Sequence, residues 1–465
     1  MPLLILRFMW RESGSEFCLS CSPTSHCSAT YFTLRHMKLV SAAGLFDPVS
    51  TQPWWKLGQG DIGTAASTKL NLQAAQSSLV LIQNPAAVLP LPTTKGTHIA
   101  VIGPHGNASR DLIQHDTGKI CPTAEPWDGG HSQAMFDCVR SPHQEIAAIN
   151  NAGTTTYTQG SEVASAVIGG VEAAVAAARN ADVVVLGLGI SERDKTPAAR
   201  AYQETEGHDR TFIDLPPVQK ALAKAVIALG KPTVVFLLNG GMVALDDFVG
   251  TNVSIVEAFY PGMEGAKALA QSLFGQCNRW GKMPYTIYKA SWASHNPMLD
   301  HDVTHGRTYR YGADAVVPFG AGKSLTEFAL AFDGGLPPSC VMHIGKPESD
   351  AGAGCDFKIQ VSNQGKLVGD EVVQAYFHPL KVAVAQHPIK SMFGFQRLRD
   401  VAAGGTTLAT FAVSPTSFLL ATQSGDMVQE PGDYLLTFEN GAGSVLSTKI
   451  QLTGSRMVVD AFPQP

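Results

Sequence analysis

The sequence lacks any cluster of lysine or arginine and has no strong excess of either charge. It contains 34 basic and 39 acidic residues, with a formal net charge of −5 at pH 7. Proteins that bind nucleic acid through its phosphates carry a basic patch or stripe on one face. The composition therefore predicts no nucleic-acid partner.

Long apolar runs are also missing. A membrane-spanning helix needs about 20 consecutive, mostly apolar residues, and no stretch of this sequence reaches that length. Residues 1–17 are partly apolar, but Arg7 interrupts the run, no basic segment precedes it and no clean small-residue cleavage site follows. We expect no membrane partner and no signal peptide, and we interpret residues 1–40 as an irregular segment.

Cysteine is scarce, with eight residues in a chain of 465, so a disulfide scaffold is not expected. Cys18 and Cys21 form a CxxC pair, with His26 and Cys27 close by. A structural zinc site needs four ligands at established spacings, and no second ligand pair follows. We therefore predict no metal site and no cofactor.

Short apolar segments that end in glycine alternate with helical patterns in the middle of the chain. These segments are HIAVIGP (98–104), ADVVVLGLG (181–189), KPTVVFLLNGG (231–241) and SIVEAFYPG (254–262). Strands buried on both faces of a parallel sheet have this composition. A helix is predicted before them, from near Thr64 to Asn84 and Pro85. The pattern indicates an α/β domain with an open, mostly parallel sheet.

From about Phe357 the apolar residues alternate with polar ones, and turn residues recur roughly every 8–15 positions. This period predicts an all-β sandwich. The predicted domains are an irregular segment (1–40), a linker and helix (41–97), the α/β domain (98–322), a second linker (323–349) and the sandwich (350–455).

A series of local motifs in one order narrows the function. The motifs of the first part are GLFDP (44–48), LGQGDIGT (57–64), IAVIGPHGN (99–107), EGHDR (206–210), FYPGMEG (259–265), LFGQCNRWGKMPYT (273–286), GRTYRY (306–311) and VPFGAGKSLTEF (317–328). VSNQGKLVGDEVVQAYFHP (361–379) and MFGFQRLRDVAAGG (392–405) follow. The ordered set resembles glycoside hydrolase family 3, in its β-xylosidase and α-L-arabinofuranosidase-like branch.

The resemblance implies a barrel, an α/β domain and a fibronectin type III-like domain, of which this sequence contains the last two. It also implies a retaining hydrolase of terminal β-D-xylosyl or related residues, an extracellular location, and a xylo- or arabino-oligosaccharide as the partner. Because the barrel is absent from this sequence, the alternative function is a non-catalytic fragment or pseudoenzyme with a carbohydrate-binding or structural role.

Retaining glycosidases use two carboxyl groups about 5–5.5 Å apart, one as the nucleophile and one as the acid/base. The resemblance places the nucleophile on the barrel and the acid/base in the α/β domain, where Glu206 of the EGHDR motif matches it. Glu204 is the alternative and Glu192 a third candidate. Without the resemblance, the same residues indicate a solvated loop in which Asp209 and Arg210 form an ordinary ion pair.

The resemblance also suggests one disulfide. Cys121 and Cys138 flank an insert in the predicted α/β domain, and we expect them to pair in an oxidising compartment.

Overall fold

The structure is a computed structural model. It describes residues 37, 40–61, 63–113, 136–191, 200–203, 208–297, 299–312, 314–335, 337, 340–345 and 354–463. The chain divides into two compact units, Met1–Thr68 and Lys69–Pro465. In these described ranges, no helix has the length and apolar character needed to cross a membrane.

The first unit contains three short 3-10 helices, Val49–Thr51, Pro53–Lys56 and Gln59–Asp61. Each is too short to bury an apolar face of its own. Trp54 and Trp55 are accordingly 74% and 71% exposed.

A six-stranded sheet forms the centre of the α/β domain. Its strands are β1 (Val80–Gln83), β2 (His98–Ile102), β3 (Thr154–Thr158), β4 (Val183–Gly189), β5 (Thr233–Leu238) and β6 (Ser254–Glu257). They lie in the order β1-β6-β5-β4-β2-β3. All neighbours are parallel except β1, which pairs with β6 in the antiparallel sense. The predicted mostly parallel sheet is confirmed.

Helices cover both faces of this sheet. They are α1 (Ala65–Ser78), α2 (Pro142–Ile149), α3 (Gly170–Arg179), α4 (Pro217–Ile227) and α5 (Gly265–Leu273), with the single turns α6 (Trp292–His295) and α7 (Thr308–Tyr311) further on. One apolar core packs α2 and α5 against one face, and a second packs α3 and α4 against the other. Every residue of β4 and β5 is buried, because both faces of these strands are covered.

One helix ends earlier than the sequence predicts. The prediction continued it to Asn84, whereas α1 ends at Ser78 and β1 begins at Val80. The apolar run SLVLIQN contains no residue that breaks a helix, so its local pattern fits either structure. The antiparallel pairing of Val80 with Glu257 and of Leu81 with Val256 decides for the strand, because tertiary contacts override a weak local preference.

The C-terminal part is an antiparallel β-sandwich, as predicted. Its strands are β7 (Phe328–Phe332), β8 (Val341–His343), β9 (Cys355–Asn363), β10 (Gly369–Lys381), β11 (Ser391–Val401), β12 (Thr406–Val413), β13 (Leu419–Ala421), β14 (Met427–Gln429), β15 (Gly432–Glu439), β16 (Val445–Thr453) and β17 (Met457–Asp460). A five-stranded sheet, β11-β10-β15-β16-β8, and a three-stranded sheet, β12-β9-β7, enclose one apolar core. Strands β13, β14 and β17 form a further small sheet.

The segment expected to be a linker, 323–349, supplies two strands of this sandwich. Strand β7 pairs with β9, and β8 adds to the edge of β16 in the parallel sense. Both strands are short, and FALAF shows only two and a half alternations, too few for the period to be recognised. A disulfide between Cys340 and Cys355, with Cα atoms 6.1 Å apart, joins the start of this edge to β9.

Candidate functional site

The carboxyl ends of β2, β4, β5 and β6 meet at one edge of the sheet, because these four strands are parallel. The chain connects β2 to β3 on one side of the sheet and then returns to β4 on the other. In open α/β sheets, ligands bind outside the carboxyl ends of the strands, near such a reversal. The loops at this edge therefore form the candidate site.

The sequence-predicted acid/base candidates Glu206, Glu204 and Glu192 lie outside the described residues, so their assignment stays a prediction. The end of the EGHDR motif is described. The Arg210 guanidinium donates a hydrogen bond to the carbonyl of Met242, in the loop after β5. Arg210, the last residue of the motif, thus lies at the carboxyl edge of the sheet.

Polar contacts hold the point where the chain leaves β4. The Ser191 N–H donates to Oε1 of Gln203 over 2.9 Å, and its hydroxyl donates to Oδ1 of Asp111 over 2.9 Å. The other carboxylate oxygen of Asp111 lies 3.5 Å from Nδ1 of His105. Gln203 and His105 are 1% and 0% exposed. This buried chain of contacts ties the loop after β2 to both ends of the segment between Ser191 and Gln203.

A second set of contacts joins the residues before 204–207 to the residues after them. The backbone N–H groups of Thr211 and Phe212 both donate to the carbonyl of Ala201 over 3.1 Å. The ring of His208 lies 2.9 Å, through Nε2, from the carbonyl of Arg200. The described residues on either side of 204–207 are therefore bonded to each other.

A buried carboxyl group at the end of β6 was not predicted. Glu257 is fully buried, and loss of hydration raises its pKa to about 8. The Phe259 N–H, the Asn239 side chain and the charge of Arg210 oppose that shift but do not cancel it. Glu257 Oε2 has no hydrogen-bond partner among the described residues. The signal available in the sequence was a single glutamate inside an otherwise apolar strand, SIVEAF.

After the end of β6, a groove of about 650 Å³ separates the carboxyl ends of β5 and β6 from strands β10 and β11 of the sandwich. Its aromatic lining consists of Phe259, Tyr260, Tyr285, Phe319 and Phe395. We call it the aromatic groove. Its size falls within the range of small-molecule sites, about 300–1,000 Å³.

The backbone of Phe259 is unusual, with a φ of 54°. A bulky residue in this left-handed region is an outlier that the surrounding structure must stabilise. The ring packs edge-on against Tyr285, with centroids 6.0 Å apart, and Asn239 donates to the Tyr285 hydroxyl over 3.4 Å. These contacts fix two aromatic rings in the wall of the groove.

The two cationic side chains of the groove are each paired with a carboxylate of the sandwich. Lys282 Nζ lies 2.7 Å from Glu371 Oε1, and Arg397 Nη1 lies 3.2 Å from Asp370 Oδ2. Burial lowers the pKa of Lys282, and Glu371 opposes that shift. The described lining of the groove therefore presents no uncompensated cation to a ligand. The Lys282–Glu371 pair also joins the α/β domain to the sandwich, and Arg397 of the sandwich joins them by donating a hydrogen bond to the carbonyl of Ser77.

The remaining groups considered for the site are metal ligands and cysteines. No group of three or more His, Cys, Asp or Glu that could hold a metal ion occurs within the described ranges. Cys138 is disulfide-bonded, but Cys121 lies outside the described residues, so their pairing stays a prediction. The Cys340–Cys355 disulfide was not predicted.

Two family models match this chain. The model described as the glycosyl hydrolase family 3 C-terminal domain matches residues 79–324. A fibronectin type III-like domain matches residues 371–441. The two matches fall on the α/β domain and on the sandwich.

Curated relatives and solved structures give the same result. A probable exo-1,4-β-xylosidase of Aspergillus fumigatus, bxlB, is 31% identical over 91% of this chain and 52% of its own length. A probable exo-1,4-β-xylosidase of Neosartorya fischeri, xlnD, is also 31% identical, with the same coverage. A solved family 3 exo-β-xylosidase, XlnD, in complex with a xylobiose aziridine probe, matches with a TM-score of 0.75 at 25% identity, over 91% of this chain and 53% of that one. The chain thus spans about half the length of the relatives it matches.

Proposed function

This chain belongs to glycoside hydrolase family 3, and from that premise we propose that it supplies the acid/base half of a retaining β-xylosidase. The observation that carries the proposal is its similarity to exo-1,4-β-xylosidases over 91% of its length. In this proposal, a barrel domain supplies the nucleophile, and the α/β domain supplies a glutamate.

The chemistry follows the two-carboxylate displacement. A carboxylate on the barrel attacks the anomeric carbon, while the protonated acid/base gives its proton to the departing glycosidic oxygen. The same residue, now a carboxylate, then takes a proton from the water that releases the sugar from the covalent intermediate. We assign this role to Glu206, with Glu204 as the alternative.

The contacts on either side of residues 204–207 support this assignment. Buried Gln203 is held by the Ser191 N–H at the end of β4, and Arg210 is bonded to the loop after β5. Both anchors lie at the carboxyl edge of the sheet, the edge at which open α/β domains present ligand-binding groups. In this proposal, a glutamate between the two anchors acts on a substrate held against that edge.

We propose a xylo- or arabino-oligosaccharide of hemicellulose as the substrate and an extracellular location. The relatives are named exo-1,4-β-xylosidases, and the probe bound to the solved XlnD structure is derived from xylobiose. The Cys340–Cys355 disulfide supports the location, because structural disulfides form and persist mainly in oxidising compartments.

The function is tested by comparing this chain with a fusion that carries a family 3 barrel upstream. The chain alone should release no p-nitrophenol from the aryl β-xyloside or α-L-arabinofuranoside, because one carboxyl group cannot perform both roles. The fusion should hydrolyse at least one of them, and Glu206→Gln should lower its kcat by roughly 10²–10⁴-fold.

The matched controls are Glu204→Gln and Glu192→Gln in the same fusion, which should retain most of the activity. Loss of activity in Glu204→Gln instead of Glu206→Gln would move the assignment to Glu204. A folded but inactive fusion would favour the non-catalytic, carbohydrate-binding alternative.

A further inference from the structure

The aromatic groove presents several large rings to solvent in one place. Phe395 on β11 is 65% exposed, and Phe259, Tyr260, Tyr285 and Phe319 are half-buried in the opposite wall. Single exposed apolar residues are ordinary on protein surfaces, but a contiguous set marks a binding surface.

Charge decides which ligand fits this groove. Lys282 and Arg397 are the cations of its lining, and the carboxylates of Glu371 and Asp370 neutralise them. An anionic ligand would have to compete with these buried carboxylates for the same cations, at a cost that is large for charges removed from water. The ligand that suits the groove is therefore neutral.

A sugar chain is neutral and has the shape that the groove requires. The face of each pyranose ring carries C–H groups that pack on aromatic rings, while its hydroxyl groups point outward from the rim. Tyr285 combines an apolar ring in the lining with a hydroxyl group that accepts a hydrogen bond from Asn239, which suits a surface that is apolar in one part and polar in another.

We propose that the aromatic groove binds a neutral, β-1,4-linked xylan chain, as an accessory site built by the α/β domain and the sandwich together. The choice of xylan rests on the proposed function. The groove lies at the carboxyl ends of β5 and β6, and β5 is the neighbour of β4, which leads to the proposed acid/base segment. A chain bound there is held at the edge of the sheet from which that segment departs.

The test uses the 465-residue chain itself and measures binding of xylohexaose by calorimetry and ligand-observed NMR. Xylohexaose should bind with an affinity that changes little between low and high salt, because no charge is involved. Phe395→Ala should weaken binding about five- to tenfold, and Phe395→Tyr, which keeps the ring, should restore it.

The matched control is Phe462→Ala, which removes an exposed aromatic ring outside the groove and should leave binding unchanged. Hexagalacturonate, an anionic chain of similar length, should bind much more weakly. Absence of xylohexaose binding by the folded chain would overturn the proposal, as would equal binding of hexagalacturonate or equal loss in both alanine variants. If the groove is instead covered by a second copy of the chain, Phe395→Ala will convert a dimer to a monomer in sedimentation, and the proposal is wrong.

This binding is measured without catalysis, so it separates the accessory site from the proposed enzymatic function. Xylohexaose binding together with an inactive barrel fusion would reject the enzyme and retain the site. An active fusion whose isolated C-terminal chain binds no xylohexaose would retain the enzyme and reject the site.

Discussion

Buried charge is arranged differently at the domain junction and at the carboxyl edge of the sheet. At the junction, the amine of Lys282 and the carboxylate of Glu371 are 10% and 2% exposed and lie 2.7 Å apart. At the edge, Glu257 is 0% exposed, and the charge of Arg210 opposes the rise in its pKa without cancelling it. Burial alone therefore does not determine whether a carboxyl group is ionised, because a nearby cation can keep the buried group charged.

The two arrangements should differ in what they contribute to the protein. The junction pair fixes the α/β domain against the sandwich, and Asn440 adds a hydrogen bond of 3.2 Å to Glu371 Oε2. The edge carboxyl keeps its proton at neutral pH, since its pKa is raised to about 8. We therefore expect the Lys282–Glu371 pair to contribute to stability at every ordinary pH. Glu257 should determine how stability changes with pH.

Breaking the junction pair should give the largest effect. Lys282→Met leaves the carboxylate of Glu371 buried without its cation, and removing one partner of a buried pair costs about 3–5 kcal/mol. The free energy of unfolding, measured by denaturant titration, should fall by that amount. The sandwich and the α/β domain of this variant should also unfold in two separate transitions, because this pair joins them.

Two controls accompany that measurement. The double variant Lys282→Met/Glu371→Leu removes both charges and should be less destabilised than the single variant. Lys267→Met removes an exposed lysine that lies 4.0 Å from Glu264 and should cost less than about 1 kcal/mol. If Lys282→Met alone lowered the free energy of unfolding by less than about 1 kcal/mol, the junction would not depend on the pair.

Replacing the edge carboxyl should change the pH dependence of stability. The pKa of Glu257 is raised from 4.5 to about 8 in the fold, so between these values the folded state holds a proton that the unfolded state has released. Stability from this residue is therefore complete below about pH 4.5 and decreases as pH rises towards 8. The slope is at most about 1.4 kcal/mol per pH unit.

Glu257→Gln keeps the shape of the side chain and cannot ionise, so it should remove most of that slope. The measurement is the free energy of unfolding at several pH values between 4.5 and 8, for the parent chain and the variant. Glu162→Gln changes a carboxyl group that follows β3, a strand separated from β6 by β5, β4 and β2 in the sheet, and as the control it should leave the slope unchanged. Parallel curves for the parent and Glu257→Gln would contradict the assignment of the slope to Glu257.

Much of the fold could be predicted from the sequence, because burial on both faces leaves a clear pattern. The segments at 181–189 and 231–241 correspond to β4 (Val183–Gly189) and β5 (Thr233–Leu238). Elements at the edges were less predictable. Strand β3 (Thr154–Thr158) contains mostly threonine and has no fully buried residue, and β7 and β8 depend on partners far along the chain.

The candidate site was predictable only in part. The EGHDR motif could be identified by resemblance, but its anchors could not, since Gln203 and Asp111 meet Ser191 through contacts that no local period encodes. The junction was also hidden, because strands β7, β8 and β9 lie between Lys282 and Glu371 in the sequence. Spatial pairs of this kind appear only when the sheets are assembled.

An exposed ion pair across the same junction should give the smallest effect. Arg279 Nη2 lies 3.0 Å from Asp400 Oδ1, and the two side chains are 26% and 60% exposed. Asp400 has a φ of 50°, a conformation that asparagine tolerates, so Asp400→Asn removes the charge without backbone strain. Water and salt screen an exposed pair, and the expected loss is below about 1 kcal/mol at low salt and near zero at high salt. Denaturant titration of Asp400→Asn beside Lys282→Met, at both salt concentrations, checks this. A loss in Asp400→Asn as large as that of Lys282→Met would show that position in the junction, and not burial, determines what these ion pairs contribute.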